Sequence, residues 1–193
     1  MGHKKNSSHK VVAANTLYWV KSTVIHYNLC PFANKVFTSE KLQVEVSDAL
    51  SAEQLLEDCL LAIQRMLSTP RDKTETVLLV HPECMTDFSD YNDFLGMVDV
   101  LIDEMKLSGI VQVASFHPDY CFADCDEADA ANFTNRSPYP MLHLLREESV
   151  SEATEEWLER GLNIEEIPER NIETLRKIGS VVLADQLKSC YKH

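Results

Sequence analysis

Two turns of the sequence combine a histidine, a proline and an acid directly after an apolar run. His81-Pro82-Glu83 follows the run 77–80, and His117-Pro118-Asp119 follows the run 113–116. Histidine changes charge near neutral pH, so it suits acid–base catalysis, and two histidines with a carboxylate also suit a divalent metal. His81 and His117 are therefore candidate catalytic residues and candidate metal ligands, with Asp119 orienting an imidazole. In the alternative interpretation, each proline merely ends a strand.

Basic and polar residues in the second half of the chain could bind an anionic substrate. Pro138 and Pro140 stiffen the segment that carries Arg136, and a positioned guanidinium binds carboxylate or phosphate groups through two hydrogen bonds. His143 lies on an apolar strand face, as either a third histidine of the site or a hydrogen-bonded core residue. The alternative for Arg136 is a structural ion pair with one of the many acids. The candidate substrate-binding residues are Arg136, Asn135, Tyr139, His143, Arg146 and Arg170.

Cys30 is a further candidate catalytic residue. It precedes Pro31 at the start of a short helix predicted over 31–38, and a helix N-terminus lowers the pKa of a thiol and favours the reactive thiolate. The alternative is that Cys30 only packs in the interior. The six cysteines form no Cys-x-x-Cys pair, and we expect all of them to be reduced thiols.

Helical and strand patterns alternate along the chain. Apolar residues at helical spacing predict helices over about 11–27, 31–38, 51–69, 88–105 and 152–160, and from 167 onward. Short or alternating apolar runs predict strands over about 42–46, 76–80, 110–116 and 140–145, with a long loop over 117–139. We predict an α/β (or α+β) fold with a four-stranded, mostly parallel sheet on which helices pack, as a single layered domain over 11–190 after a disordered tail over 1–10. Parallel neighbouring strands would bring both histidine turns to one sheet edge, about 5 Å apart.

The charge balance excludes several classes of partner. The chain has 18 basic and 31 acidic residues and a formal net charge of −13, so it lacks the basic excess that binding to nucleic acid or to an anionic membrane requires. No run approaches the ~20 apolar residues of a membrane span, and residues 1–10 lack the apolar segment of a signal peptide. We therefore expect a cytoplasmic protein with no nucleic-acid or membrane partner.

Several strings of residues, in order along the chain, carry a resemblance to a known family. They are Leu29–Ala33, Leu78–Pro82, Asp90–Leu95, Gln112–Tyr120, Thr134–Pro140, Leu142–Arg146 and Ile167–Ile172. Over about residues 16–179 the chain resembles the domain of unknown function 1415 family. That family is uncharacterised, so the resemblance implies neither a reaction nor a cofactor. Cys121 and Cys125 depart from the family pattern, which makes thiol or metal chemistry in the long loop conceivable without family support.

These features together predict a small-molecule enzyme that uses histidine acid–base or metal-assisted chemistry on an anionic substrate, with a divalent metal as candidate cofactor. The two alternatives are a non-catalytic module that binds a ligand or a protein, and a thiol redox protein that acts through Cys30. Geometry discriminates between the first two. An enzyme requires the three candidate histidines and Arg136 to converge in one pocket, whereas a binding module leaves these side chains apart.

Overall fold

Seven α-helices and four strands are formed by the described residues of the computed structural model, which are 2–159, 161 and 163–192. The first helix, α1 (Gly2–Trp19), continues into a π-helical turn over Val20–Ile25 and begins within the segment for which the sequence predicts a disordered tail. The single domain over 11–190 stays a prediction.

The remaining helices and strands are α2 (Ala33–Thr38), β1 (Leu42–Val46), α3 (Ala52–Ser68), β2 (Thr76–Val80), α4 (Phe88–Glu104), β3 (Val111–Phe116), β4 (Met141–Arg146), α5 (Glu147–Glu159), α6 (Ile167–Ile178) and α7 (Ser180–Ser189), with 3-10 turns at Ala130–Thr134, Ile164–Glu166 and Cys190–Lys192.

Helices α3 and α4 begin at residues whose side chains satisfy the first free backbone amides. Ser51 precedes α3, and its hydroxyl accepts a hydrogen bond from the backbone N–H of Gln54 at 3.4 Å. Asp87 precedes α4 and accepts from the backbone N–H groups of Ser89 and Asp90 at 2.8 and 3.2 Å. Such caps fix the first turn of a helix. The buried face of α4, which includes Tyr91, packs in the same core cluster as Val77 and Leu79 of β2.

The mixed α/β fold and the four-stranded sheet are confirmed, but the sheet is not mostly parallel. The strand order is β1-β2-β4-β3, and only β1 and β2 are parallel, since β4 runs antiparallel to both β2 and β3. A parallel neighbour of β3 would need a crossover connection, usually a helix, that returns the chain to the opposite end of the sheet. The 117–139 loop contains only a 3-10 turn and stays at the end where β3 finishes, so β4 starts there.

Helices cover both faces of the sheet and form two main parts of the core. On one face α3 and α4 pack against side chains that include Val77, Leu79, Leu142 and Leu144. On the other face α1 and the last helical segments pack against Leu78, Val80 and Met141. The near-continuous apolar run in β2 is explained by this burial on both faces. Within the described part of the chain, no helix combines the length and apolar character needed to cross a bilayer.

Candidate functional site

His81 and His117 belong to one buried aromatic cluster, in which Tyr91 of α4 contacts both imidazoles. The ring centroids of His81 and Tyr91 are 5.8 Å apart, and those of Tyr91 and His117 are 5.2 Å apart. Both histidines are fully buried, with relative exposures of 0%. Because β4 lies between β2 and β3, the two histidines follow strands that are not neighbours. Neighbouring strands lie about 5 Å apart, so β2 and β3, with β4 between them, lie about 10 Å apart.

Both ring nitrogens of His117 are engaged by the backbone. Its Nε2–H donates to the carbonyl of Met85 at 3.1 Å, and its Nδ1 accepts from the backbone N–H of Asp119 at 3.0 Å. Burial lowers the pKa of His117, which favours the neutral imidazole and agrees with one nitrogen donating and the other accepting. The backbone of Asp119, rather than its exposed carboxylate, orients the ring.

His81 differs from His117 in having a free acceptor. Its Nδ1–H donates to the carbonyl of Cys84 at 2.8 Å, and among the described residues the buried Nε2 has no hydrogen-bond partner. Burial lowers the pKa of His81 to about 4, so the ring is neutral and Nε2 carries a lone pair. Over the described ranges, no group of three or more histidine, cysteine or acidic side chains could hold a metal ion.

Tyr91 holds the cluster in place and was not among the residues selected from the sequence. Its hydroxyl donates to the carbonyl of Met141 at 2.9 Å and accepts from the backbone N–H of Phe116 at 3.1 Å. The phenol thereby ties the end of β3 to the start of β4. The sequence contains one signal that could have identified Tyr91, because it lies three residues after Phe88 and so falls on the apolar face of α4. The ring of Phe88 lies 5.4 Å from that of His117.

Arg136 and Asn135 bind the backbone of their own surroundings. The Nε and Nη2 groups of Arg136 donate to the carbonyls of Tyr120 and Glu127 at 3.0 and 2.9 Å. The Nδ2 of Asn135 donates to the carbonyl of Ser115 at 3.0 Å. The guanidinium therefore holds the 117–139 loop together. Arg136 has a structural role, but its partners are backbone carbonyls of the loop and not the acidic side chain that the sequence suggested.

His143 and Tyr139 lie on the α1 side of the sheet, away from the ring cluster on the α4 side. The Nε2 of His143 is 2.7 Å from the hydroxyl of Thr76, which itself donates to the carbonyl of Leu144 at 2.6 Å. Burial lowers the pKa of His143 to about 4. The hydroxyl of Tyr139 accepts from the Nδ2 of Asn15 in α1 at 2.8 Å. The structure thus places the third histidine on the sheet face opposite to His81 and His117, because side chains alternate along a strand.

Arg146 and Arg170 close the ends of helical segments elsewhere in the fold. Arg146 ends β4 at the far end of the sheet, and its Nη2 donates to the carbonyls of Met66 and Thr69 at the end of α3. A strand of this length carries it roughly 17 Å from the start of β4. Arg170 donates to the carbonyl of Asn28, after the π-helical turn, at 2.8 Å. Cations are favoured at such helix C-termini.

The surroundings of Cys30 do not favour a thiolate. Helix α2 begins only at Ala33, three residues later than the thiol, so Cys30 is not at the first helical position. The backbone N–H groups of Phe32 and Ala33 act to lower the pKa of Cys30, but burial outweighs them and raises it. The half-buried side chain packs against the core on the α1 side of the sheet.

The match to a family model covers nearly the whole chain, at residues 11–185, and the model is that of a protein of unknown function (DUF1415). The chain belongs to the DUF1415 family. This membership confirms the resemblance seen in the sequence and assigns no activity. No curated protein and no solved structure matches the chain.

A surface groove between α3 and α4 is a second feature of this DUF1415 chain that could receive a partner. It has a volume of about 480 Å³ and will be called the acidic groove. Met97 and Val100 are 40% and 60% exposed in it, and a Cβ built on Gly96 would meet nothing within 4 Å. The lining residues are Leu56, Asp93, Gly96, Met97, Val100, Leu101 and Glu104. Sequence patterns missed the groove because its lining combines Leu56 of α3 with residues of α4, and no local pattern shows which helices are neighbours.

Proposed function

We propose that the chain is a non-catalytic binding module whose acidic groove receives a basic amphipathic helix of a partner protein. The proposal rests on the apolar surface inside the acidic groove, which is bordered by acidic side chains. Met97 and Val100 lie one helical turn apart on α4, with Asp93 and Glu104 at the two ends of the groove. Exposed apolar residues grouped in this way on a protein surface are typical of interaction sites.

The arrangement of the predicted site residues favours binding over catalysis. The three candidate histidines do not converge, because His143 lies on the opposite face of the sheet. Arg136, Arg146 and Arg170 all donate to backbone carbonyls. Guanidinium groups engaged in this way are less available to an anionic substrate at His81 and His117.

The charge around the acidic groove selects the occupant. Helix α4 carries five acids, no lysine and no arginine, as its sequence from Phe88 to Glu104 shows. An amphipathic helix seated in a groove buries its apolar face and places its polar flanks over the rim. Basic flanks would be attracted to Asp93 and Glu104, whereas a second copy of this chain, at a net charge of −13, would be repelled.

A designed leucine–lysine helical peptide tests the proposal, with fluorescence anisotropy as the readout. Val100→Asp should weaken its binding at least about tenfold, because an apolar contact is replaced by a charge that must be desolvated. The substitution adds negative charge, so purely electrostatic binding would become tighter instead. Val182→Asp is the matched control, since Val182 of α7 is 55% exposed and outside the groove.

Three outcomes would contradict the proposal. The first is unchanged or tighter binding to the Val100→Asp protein. The second is equal affinity for a leucine–glutamate peptide, which would show that charge plays no part in recognition. The third is a dimer in sedimentation experiments that Val100→Asp dissociates, which would assign the acidic groove to a second copy of the chain.

A second candidate function, a small-molecule enzyme, is favoured by the free Nε2 of His81. A neutral imidazole with a lone pair can accept a proton or hydrogen bond from a hydroxyl or amine, so His81 would be the general base. Turnover of nitrophenyl esters and phosphates by the wild type and by His81→Asn tests this role. Activity lost in His81→Asn and kept in the control His26→Asn would support the enzyme. Activity that survives His81→Asn, or a rate equal to that of buffer, would reject it.

A further inference from the structure

We infer that Cys121 and Cys125 are a reversible dithiol–disulfide pair, and thus a modification site in the 117–139 loop. The sulfur of Cys121 lies 3.6 Å from the backbone carbonyl oxygen of Cys125. Both side chains are partly exposed, whereas Cys59, Cys84 and Cys190 are buried. The Cys121 thiol therefore lies beside the backbone of Cys125, both side chains are partly open to solvent, and neither belongs to the main core.

The local backbone brings the two cysteines toward each other. The backbone N–H of Cys125 donates to the carbonyl of Phe122 at 3.0 Å, which closes a tight turn over 122–125, directly after Cys121. A disulfide requires Cα atoms about 4.4–6.8 Å apart, and the turn folds the chain back far enough for the Cys121 sulfur to reach the Cys125 carbonyl. Rotation of the two cysteine side chains is then the main movement required.

Asn132 holds the turn from outside. Its Oδ1 accepts from the backbone N–H of Phe122 at 3.1 Å, and its Nδ2 donates to the carbonyl of Asp126 at 2.8 Å. The side chain of Asn132 is completely buried. These two bonds hold the backbone at the residues that adjoin each cysteine.

The oxidant that fits this site is a small soluble disulfide, such as oxidised glutathione. The thiolate of one cysteine attacks a sulfur of that disulfide, forms a mixed disulfide and releases one glutathione thiolate. The second cysteine, as thiolate, then attacks the protein sulfur of the mixed disulfide and releases the second glutathione. Two protein thiols are oxidised, one glutathione disulfide is reduced to two glutathione molecules, and the two thiol protons pass to the released thiolates.

The native protein treated with oxidised glutathione and then alkylated provides the test. Mass spectrometry should show a loss of two hydrogens without a glutathione adduct, and a peptide map should join Cys121 to Cys125. Cys125→Ser should stop at one glutathione on Cys121, because the resolving thiol is missing. Cys30→Ser is the control and should form the internal disulfide like the wild type.

Other products would overturn the inference. Stable glutathione adducts on both cysteines of the wild type would show that the two sulfurs do not meet. A disulfide that includes Cys30, or a covalent dimer on a non-reducing gel, would assign the reactivity elsewhere. Unmodified Cys121 and Cys125 after equilibration with excess oxidant would show that no redox pair exists.

Discussion

The buried histidines make the stability of the fold depend on pH below neutrality. Burial lowers the pKa of His81 and of His143 from 6.5 to about 4. The unfolded chain therefore takes up these protons as the pH falls through 6.5, whereas the folded chain does not. Stability is fully present above that pH and decreases toward the folded pKa, because the unfolded state binds more protons.

The size of this effect follows from the two shifts. At about pH 5, protonation of the unfolded chain costs about 2 kcal/mol for each histidine, or about 4 kcal/mol for both. This is a large fraction of a typical stability of about 5–15 kcal/mol. The pKa of His117 is lowered as well, which acts in the same direction. Asp129, whose pKa is lowered to about 2 by Arg176, loses its stabilising effect only at more acidic pH.

Urea denaturation followed by circular dichroism at about pH 7.5 and about pH 5 measures this loss. His81→Asn should reduce the loss by about 2 kcal/mol, because asparagine can still donate to the Cys84 carbonyl but does not titrate. The comparison uses the difference between the two pH values, so a lower absolute stability of the variant does not affect it. His26→Asn, at an exposed position, should leave the loss unchanged.

Equal stability of the wild type at both pH values would refute the reasoning. So would a loss in His81→Asn as large as that of the wild type, since His81 would then not be a neutral buried group. A loss that disappears in His26→Asn would assign the effect to the surface.

Other substitutions test the contacts that organise the site. Tyr91→Phe removes two hydrogen bonds to buried backbone groups, and we expect the free energy of unfolding, measured by urea denaturation, to fall by about 2–4 kcal/mol. Tyr120→Phe, in the same aromatic cluster, is the control and should lower it by less than about 0.5 kcal/mol. Equal losses in the two variants would contradict the bridging role of Tyr91. Arg146→Met removes the donor at the end of α3 and should cost about 2–3 kcal/mol, so a change within about 0.5 kcal/mol would contradict the capping role. Asn132→Ala should speed limited proteolysis of the 117–139 loop, and an unchanged cleavage rate would show that other contacts hold it.

The sequence was sufficient for the four strands and for most of the helices, but not for the division of the last predicted helix into α6 and α7 or for the arrangement of the strands. Strand β2 lies at its predicted bounds, because burial on both faces leaves a short apolar run that sequence alone reveals. The direction of β4 had no local signal, since it depends on the path of the 117–139 loop. The expected meeting of His81 and His117 depended on that direction. The two rings belong to one cluster through Tyr91, whereas Arg146 lies at the other end of the sheet.

The hydrogen-bond partners of Arg136 could not be predicted from the sequence, for a different physical reason. The sequence contains many acids, and ion pairs were the expected structural partners of Arg136. Its actual partners are backbone carbonyls of a loop that has few regular hydrogen bonds of its own. Such acceptors are carried by every residue, so no pattern of side chains could indicate them.

The place of β4 between β2 and β3 also determines when the sheet can form. β4 is central in space but the last of the four strands to leave the ribosome, so β3 has no strand partner until residues 141–146 have been made. The β1–β2 pair can form earlier, but its inner edge is open during the same interval. Unpaired edges are sites of misassociation, and pairings between distant residues slow folding. We therefore expect the nascent chain to depend most on protection from aggregation just before β4 emerges.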